Sequence, residues 1–545
     1  MAPRALKLGT RRSALARAQS AAIARALEQL HPGLSVQLVG IDTRGDRILD
    51  KPLSTVEGKE FFTAEIDAAL LRGDIDFTVH SYKDLSLERA TALLLAAVPR
   101  RAEPRDVVLF APDASARLAA GHELVIGSSS PRRASFVPEF LRQVLPQRRP
   151  NDADVSAAGL ASAAAGARAR LVQLRGNVDS RLRRLHEPRG SARQLDGVVL
   201  AFAGIARLWA DEAIRAQVAP LLSVPRMVLP LSACPSAPAQ GALAIECRRE
   251  DTETAALLAV LDHPPTRGAA QIERALLAQR GGGCQQRFGA VQTCIEGLGT
   301  LLYWREAHEL GDGALQLDPA RLQWTPQTPL PVITTPVRAW DGSRAERGAI
   351  EPIDAGVAMA IERLTDTAAL FVAHRRAFPG AALAAGQGDR LRDGVHTHVW
   401  VPGIETWRAL AARGIWVEGC AEGLGIAQIA PLLAEPWLQL PPLTQWTVLT
   451  HEQAMGGWPA GSAIATYRHV EPRQSGPQQS GGPPPDATHV YWASSAQFER
   501  WAHRLGADVQ HGCGPGKTFE HLRRAGVHNL RSFPQVEQWR QWLQQ

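Results

Sequence analysis

The sequence lacks several features that mark common classes of protein. Among its 545 residues there is no apolar run of 18 or more, which argues against a membrane-spanning helix. The six cysteines include no CxxC pair, which argues against a zinc site and a disulfide framework. No apolar stretch typical of a signal peptide follows Met1. We therefore expect a cytoplasmic protein in a reducing compartment, with no metal site.

The charge balance is basic, with 60 Lys and Arg against 54 Asp and Glu. Arginine supplies most of the positive charge, and two interpretations are open: a solvated surface, or a cleft whose guanidinium groups hold carboxylates or phosphates. A nucleic-acid binder would need a basic helix with interleaved aromatic residues, which the sequence lacks. We predict a small-molecule substrate, no nucleic-acid or membrane partner, and a monomer.

The first 130 residues alternate short apolar runs with amphipathic stretches, which is typical of βαβ units. Strands are predicted at 6–8, 36–39 and 74–79, with a helix over 13–30 that Ser13 caps. A second set of strands is predicted at 106–110, 125–127, 171–174 and 197–201. Two such α/β lobes predict a cleft between them, where open parallel sheets bind ligands.

The length predicts three to five globular units. The boundaries that we predict are a first lobe over 1–105 with about 226–250, a second lobe over 106–225 with an insertion at about 151–170, a small α+β domain over 251–325, and a second α/β region over 335–545.

Lys83 and Asp84 follow the predicted strand that ends near His80. At that edge a cation can hold a substrate anion while a carboxylate handles a proton or stabilises a cation. An ordinary turn is the more frequent meaning of such a pair taken alone.

Basic and hydroxyl side chains recur where predicted strands pass into helices, and a polyanion-binding cleft would need this placement. For Arg132 and Arg133, a chance surface pair is an open alternative. The residues concerned are Arg11, Ser13, Ser129, Arg132, Arg133, Arg175, Arg181 and Arg207.

Cys284 follows three glycines, which give its loop unusual backbone freedom. Such a loop can present a thiolate, whereas a buried structural cysteine is the usual alternative.

Eight stretches of the sequence together resemble hydroxymethylbilane synthase (porphobilinogen deaminase). They are TRRSALARAQ, GDRILDKPLSTVEGKEFF, VHSYKDL, GSSSPRRA, LRGNVDSRLRRL, LAFAGIARL, PAQGALAIECR and GGGCQQRFGA, in the family's order, over roughly 290 residues. The resemblance implies two lobes like those of type II periplasmic binding proteins and a small third domain that bears the cysteine. It also implies that four porphobilinogen units are polymerised with release of ammonia.

The resemblance also implies roles for individual residues. Cys284 would carry a covalent dipyrromethane cofactor, and Asp84 would be the catalytic carboxylate. Carboxylates of the cofactor would be bound by Lys83, Ser129, Arg132, Arg133 and Arg175, and those of the substrate by Arg11, Ser13, Lys59, Arg181 and Arg207.

Residues 335–545 resemble uroporphyrinogen-III synthase, through strands at 368–373 and 488–495 and the turns at 402–406 and 514–518. This resemblance implies a two-lobed α/β unit that cyclises hydroxymethylbilane. Tyr467 would be the general acid, and Ser494, Ser495 and Thr518 would bind substrate carboxylates. A non-catalytic scaffold is the alternative for this region.

A solute-binding protein is the rival hypothesis for the first half, because it would share two lobes. It would have a signal peptide, and it has no use for a glycine-flanked cysteine or for the Lys83–Asp84 pair.

Overall fold

The computed structural model describes residues 4–43, 63–147, 169–283, 286–310, 314–334, 336–344, 349–380, 389–456, 458–470 and 482–545. The chain divides into two compact units, the first formed by residues 1–143, 167–293 and 302–322 and the second by the remainder. The fold is mixed α/β with several sheets. Within the described ranges, no helix has the length and apolar character needed to cross a bilayer.

The N-terminal part of the chain contains fourteen described strands and nine described helices. The strands are β1 (Arg4–Arg11), β2 (Leu34–Ile41), β3 (Phe77–Ser81), β4 (Leu93–Ala97), β5 (Asp106–Phe110), β6 (Leu124–Ser128), β7 (Ala169–Gln173), β8 (Gly197–Ala201), β9 (Arg226–Val228), β10 (Leu243–Arg248), β11 (Phe288–Ile295), β12 (Gly299–Glu309), β13 (Leu315–Leu317) and β14 (Arg321–Pro326). The helices are α1 (Ala14–Leu30), α2 (Ala64–Arg72), α3 (Ala114–Ala119), α4 (Pro131–Val144), α5 (Val178–Arg183), α6 (Phe202–Ala210), α7 (Glu212–Leu222), α8 (Thr252–Ala259) and α9 (Pro264–Ala278).

The first sheet has the strand order β2-β1-β3-β10-β4. β1 runs parallel to β2 and β3, whereas β10 runs antiparallel to β3 and β4. Ser13 caps α1 as predicted, and its Oγ accepts a hydrogen bond from the Ala16 N–H at 3.4 Å. One face of α1 buries Ile23 and Leu27 against Leu8 and Phe77 of the sheet, so the helix and sheet share one core.

The second sheet has the strand order β7-β6-β8-β5-β9. β6 pairs in parallel with β7 and β8, and β5 pairs antiparallel with β8 and β9. Residues 226–228 were predicted to belong to the first lobe, and this is wrong because they form β9 in the second sheet. Backbone pairing with the fully buried β5 fixes them there, and only β10 returns to the first sheet.

Two chain segments, 98–105 and 229–242, connect the two sheets. In the second segment, Ala239 and Gly241 have positive φ angles of 62° and 87°. A Cβ at Gly241 would lie 2.4 Å from the Ala102 carbonyl oxygen, so only glycine allows the segments to approach this closely. Gln240 lies between these two residues and is buried.

The boundary predicted at 251 also needs correction. α8 lies inside the small domain predicted over 251–325, yet its Leu258 is buried in the core of the first sheet with Leu6 and Leu8. α9 follows, with proline in its first turn and a His263 side-chain cap. β11, β12 and β13 then form a small sheet in which β14 also pairs with β12.

The second unit contains two sheets. Its strands are β15 (Ala339–Asp341), β16 (Ala349–Pro352), β17 (Ala369–Val372), β18 (His398–Val401), β19 (Gly419–Cys420), β20 (Thr447–His451), β21 (Ala463–Val470), β22 (His489–Trp492), β23 (Gln510–Cys513) and β24 (Leu530–Ser532). Its described helices are α10 (Asp354–Arg363), α11 (Asp389–Arg392), α12 (Ile404–Ala411), α13 (Ala430–Leu433), α14 (Ser495–Trp501), α15 (Lys517–Arg524) and α16 (Val536–Trp542).

One sheet of the second unit has the order β16-β21-β20-β17-β18-β19, and the other has the order β15-β22-β23-β24. Except for the antiparallel edge strand β16, the neighbouring strands in both sheets run parallel. The turns predicted at 402–406 and 514–518 both open helices, α12 and α15. These are two α/β layers whose carboxyl edges can carry polar side chains.

Candidate functional site

The turn after β3 carries the predicted Lys83 and Asp84. A single 3-10 turn, Tyr82–Asp84, closes through a hydrogen bond from the Leu85 N–H to the Tyr82 carbonyl. Asp84 is exposed, whereas Lys83 is half-buried and donates from Nζ to Gln240 Oε1 at 3.2 Å. Burial lowers the pKa of Lys83 against the opposing effect of Asp84. A carboxylate ligand would therefore stabilise this ammonium.

Asp106, the first residue of β5, is the centre of a buried polar network. It accepts hydrogen bonds from Arg132 at 2.6 Å, Arg133 at 2.7 Å and Gln240 Nε2 at 2.8 Å. Burial alone would raise the pKa of Asp106, but the two guanidinium groups outweigh it and hold that pKa below its usual range. Gln240 joins Asp106 to Lys83, so the network links the two sheets of the first unit.

The open alternative for Arg132 and Arg133, a chance surface pair, is wrong. Only 3% of Arg132 and 6% of Arg133 are exposed. Arg132 also donates to the Pro235 carbonyl and Arg133 to the Val199 carbonyl, so their terminal nitrogens are largely committed within the protein. Their sequence positions gave no sign of Asp106, which lies 26 and 27 residues away.

The Nε–H groups of Arg132 and Arg133 are buried and have no hydrogen-bond partner among the described residues. A buried donor without an acceptor costs about 1–3 kcal/mol, more when it is charged. These donors lie in the first turn of α4, whose N-terminus favours anions. An anionic group with several carboxylates fits this arrangement.

Further arginines surround this network. Arg181 donates from Nε to the Gly176 carbonyl, and burial, with Arg133 and Arg175, lowers its pKa to about 10. Arg207 donates to the Gly241 carbonyl, and burial lowers its pKa to about 10. Clustered cations that repel one another are stabilised by a bound anion.

Three other predicted residues lie at strand-to-helix junctions. Arg11 is the last residue of β1, and Ser13 follows it as the cap of α1. Ser129, which is half-buried, lies between β6 and α4. Their roles as ligands stay predictions.

Cys284 and Lys59 lie outside the described residues. The loop that leads to Cys284 is described as far as Gly283, and Gly281, Gly282 and Gly283 all have positive φ angles, of 83°, 69° and 98°. The predicted need for glycine in this loop is therefore confirmed. A Cβ at Gly282 would lie 2.7 Å from Cδ1 of Leu87, so the loop passes against the segment that follows Asp84.

Sequence reasoning missed Asp106, Gln240 and Arg274. The buried Arg274 of α9 donates to the carbonyls of Tyr82, Leu85 and Ser86, which bracket the Asp84 turn. Gln240 lies within a recognised motif and Arg274 shortly before another, but their partners are more than 130 positions away in the chain. No local pattern could indicate those partners.

Comparison with known proteins assigns the first half of the chain to a family. Residues 6–256 match the family model described as porphobilinogen deaminase, dipyromethane cofactor binding domain. The porphobilinogen deaminase of Acidothermus cellulolyticus is 42% identical over 294 residues, covering 52% of this chain and 74% of that protein. The chain belongs to the porphobilinogen deaminase family. The enzyme of that name from Roseiflexus castenholzii is 39% identical over 298 residues, covering 55% and 84%.

Among solved structures, the methionine binding protein MetQ is similar at 15% identity, covering 48% of this chain and 90% of that one. Its TM-score of 0.27 is too low to support an argument about fold. The family match lies in the first half of the chain, where the deaminase domain binds dipyrromethane.

The second unit has its own group of candidate residues around Tyr467 of β21. This tyrosine is 4% exposed and packs against the rings of His374, His451 and His469. Its hydroxyl lies 3.5 Å from His374 Nδ1, which also accepts the Arg376 backbone N–H. Burial raises the pKa of Tyr467 to about 12 against the effect of Arg376, so the hydroxyl stays protonated at neutral pH.

The other predicted residues of the second unit lie at helix starts. Ser494 caps α14 by accepting from the Gln497 N–H at 3.3 Å, Ser495 opens that helix, and Thr518 is the second residue of α15. α14 contacts the 3-10 turn Glu452–Ala454, which follows β20. α14 thus lies against the turn that follows β20, and the last residue of β20, His451, packs on Tyr467.

α15 also approaches the other sheet. A Cβ at Gly516 would lie 3.3 Å from the Gly425 Cα, and Lys517 Nζ lies 4.4 Å from the Trp458 ring centre. Thr518 thus stands where loops of the two sheets meet.

Proposed function

We propose that this chain is a hydroxymethylbilane synthase, a transferase that joins four porphobilinogen units on a dipyrromethane cofactor linked to Cys284. The observation that supports the proposal is the approach of Gly282, in the described part of the loop before Cys284, to Leu87 in the segment that follows Asp84. Family membership supports the activity and the cofactor. Neither of these two lines of support depends on the position of Cys284, which lies outside the described residues.

Asp84 is the proposed catalytic carboxylate. When porphobilinogen loses its aminomethyl nitrogen as ammonia, the remaining methylene-pyrrole is a cation, and a carbon of the preceding pyrrole attacks it with loss of a proton. A fixed anion beside that cation lowers the barrier by about 3–4 kcal/mol. The carboxylate of Asp84 is exposed, so it can approach the cation. The turn that carries it is fixed by a hydrogen bond from Arg274 to the Tyr82 carbonyl.

The cofactor is held, in this proposal, by Lys83, Ser129, Arg132, Arg133 and Arg175. Its chemical contribution is a nucleophilic pyrrole carbon on which the chain grows. The buried Nε–H groups of Arg132 and Arg133 would donate to its carboxylates, and so gain the acceptors that they lack among the described residues. Arg11, Ser13, Lys59, Arg181 and Arg207 are the proposed ligands of substrate carboxylates.

Replacing Asp84 tests the catalytic assignment. Asp84→Asn should lower the rate of porphobilinogen consumption roughly 100- to 1,000-fold, the effect of one well-placed charge. Glu88→Gln is the matched control, because Glu88 is an exposed acid four residues away. Equal rates for the two variants would overturn the role of Asp84.

A second function is proposed for residues 335–545: cyclisation of hydroxymethylbilane to uroporphyrinogen III, a lyase reaction. The observation in its favour is a protonated, buried Tyr467 that packs against three histidine rings, in a unit where Ser494, Ser495 and Thr518 lie at helix starts. Tyr467 would protonate the departing hydroxyl, which leaves as water, and the proton released from a pyrrole on ring closure would restore it. Two activities on one chain raise the effective concentration of the second enzyme near the product of the first.

The full-length Asp84→Asn variant, supplied with synthetic hydroxymethylbilane, isolates this second reaction. We expect uroporphyrinogen III in excess of isomer I. Isomer I alone would identify the C-terminal unit as a non-catalytic scaffold.

A further inference from the structure

Arg274 has no role in the proposed reaction, yet its side chain makes an unusual set of contacts. Its Nη1 donates to the carbonyls of Tyr82 at 3.1 Å and Leu85 at 3.0 Å, and its Nη2 donates to the Ser86 carbonyl at 2.7 Å. The guanidinium carbon also lies 4.6 Å from the centre of the Tyr82 ring. One side chain therefore fixes the backbone on both sides of Asp84.

The same helix leads directly to the loop that bears the cofactor cysteine. α9 ends at Ala278, and Gly281–Gly283 follow it with left-handed backbone. Gly282 lies against Leu87, and the Gln286 side chain donates to the Gly282 carbonyl. The Asp84 turn and the approach to Cys284 are thus attached to one helix.

We propose that Arg274 is a positioning residue that fixes the Asp84 carboxylate relative to the cofactor loop. The inference rests on the proposed function of Asp84 and Cys284. A carboxylate on an exposed turn has no rigid support of its own, and a misplacement of about 1 Å can cost roughly 100-fold in rate. The three hydrogen bonds from Arg274 supply that support without contact with the substrate.

Arg267, on the same helix, provides the matched control. It also donates to backbone carbonyls of the first sheet, those of Leu95 and Ala96, and pairs with Asp262. These contacts stabilise β4, and within the described part of the chain no hydrogen bond of the Arg267 side chain reaches the Asp84 turn. A merely structural role for Arg274 predicts that equivalent changes at the two positions have equivalent effects.

The test compares full-length Arg274→Lys, Arg274→Met, Arg267→Lys and Arg267→Met. Lysine has three donors but lacks the planar fork that reaches three carbonyls, so it should restore function in part. We expect kcat for porphobilinogen to fall roughly 10- to 100-fold in Arg274→Met and less in Arg274→Lys, with KM little changed. The Arg267 variants should keep kcat within about two-fold.

Two further measurements do not depend on turnover. Hydrogen exchange of the amides at 82–87 should accelerate in Arg274→Lys and not in Arg267→Lys, because only the first loosens the Asp84 turn. The fraction of purified protein that carries the dipyrromethane mass should fall in Arg274→Lys only. If Arg274→Met fails to fold, these measurements on Arg274→Lys decide the matter.

Equal kcat, exchange and cofactor mass in Arg274→Lys and Arg267→Lys would overturn the inference. So would a rise in KM with kcat unchanged, which indicates substrate binding and not positioning. An unmodified wild-type mass with full activity would instead reject the proposed function, so the two failures are distinguishable.

Discussion

Asp106 is the residue whose substitution should cause the largest loss of stability. Its carboxylate is fully buried and accepts two charged hydrogen bonds and one neutral bond, at 2.6–2.8 Å. Asp106→Asn leaves two buried guanidinium groups without a counter-charge. Breaking a buried ion pair in this way costs about 3–5 kcal/mol. We expect that loss in the free energy of local unfolding, measured by hydrogen exchange of the β5 amides.

Asp113→Asn is the matched control. Asp113 also binds an arginine, Arg189, through both carboxylate oxygens, but 48% of its side chain is exposed. Exposed ion pairs contribute about 0–1 kcal/mol because water and salt screen them. A free-energy loss in Asp106→Asn no larger than that in Asp113→Asn would refute the reasoning.

The pH dependence provides an internal check on Asp106. Because its pKa is lower in the folded protein than in the unfolded chain, its contribution to stability is complete above the unfolded pKa of about 4. The contribution is lost as the pH falls towards the folded pKa. The difference between wild type and Asp106→Asn should therefore be full at neutral pH and shrink in acid. A constant difference would contradict this assignment.

Three further predictions concern other buried groups. Gln240→Leu removes the hydrogen-bonded bridge between Lys83 and Asp106. Steady-state kinetics should show kcat/KM for porphobilinogen lowered by about ten-fold, the effect of one hydrogen bond to a charged group. An unchanged kcat/KM would show that the bridge is dispensable. Tyr467→Phe removes the proposed acid, so the rate of uroporphyrinogen III formation, measured by isomer analysis, should fall at least 100-fold. His528→Leu, on an exposed loop, should leave that rate unchanged. Equal amounts of isomer III from the two variants would reject Tyr467 as the general acid. Burial, with Arg89 and Arg11, lowers the pKa of His80 to about 3. His80 therefore stabilises the fold above its unfolded pKa, and this stabilisation is lost as the pH falls from about 6.5 to 3. Denaturant titrations of His80→Gln should show a free energy of unfolding that changes less steeply with pH, by up to about 1.4 kcal/mol per pH unit, and an unaltered slope would contradict the buried neutral form.

Local sequence patterns predicted the elements whose signals are local. The strands at 106–110 and 197–201 agree with β5 and β8 to the residue, and Ser13 caps α1 as its position indicated. The apolar runs and the capping residue are sufficient for these elements. The pairing of β9 with β5 was missed because a three-residue strand has almost no periodicity, and a partner about 120 positions away fixes its sheet.

The sequence predicted which residue types form the site, but not which partners their side chains bind. A pattern of arginine at a helix start cannot distinguish a guanidinium that awaits a ligand from one that is paired with a buried carboxylate. Arg132 does both, because Asp106 holds its terminal nitrogen while its Nε–H has no described partner. Arg274 and Gln240 act through partners that only the folded chain brings near.

The intact mass of the purified full-length protein tests the central claim most directly. The wild-type chain should be heavier than its sequence by two linked pyrrole units, and Cys284→Ser should have the mass of the sequence alone and no deaminase activity. Cys294→Ser is the control, since this exposed cysteine lies nearby in the sequence and should leave the modification intact. A wild-type protein of unmodified mass with full activity would contradict the account.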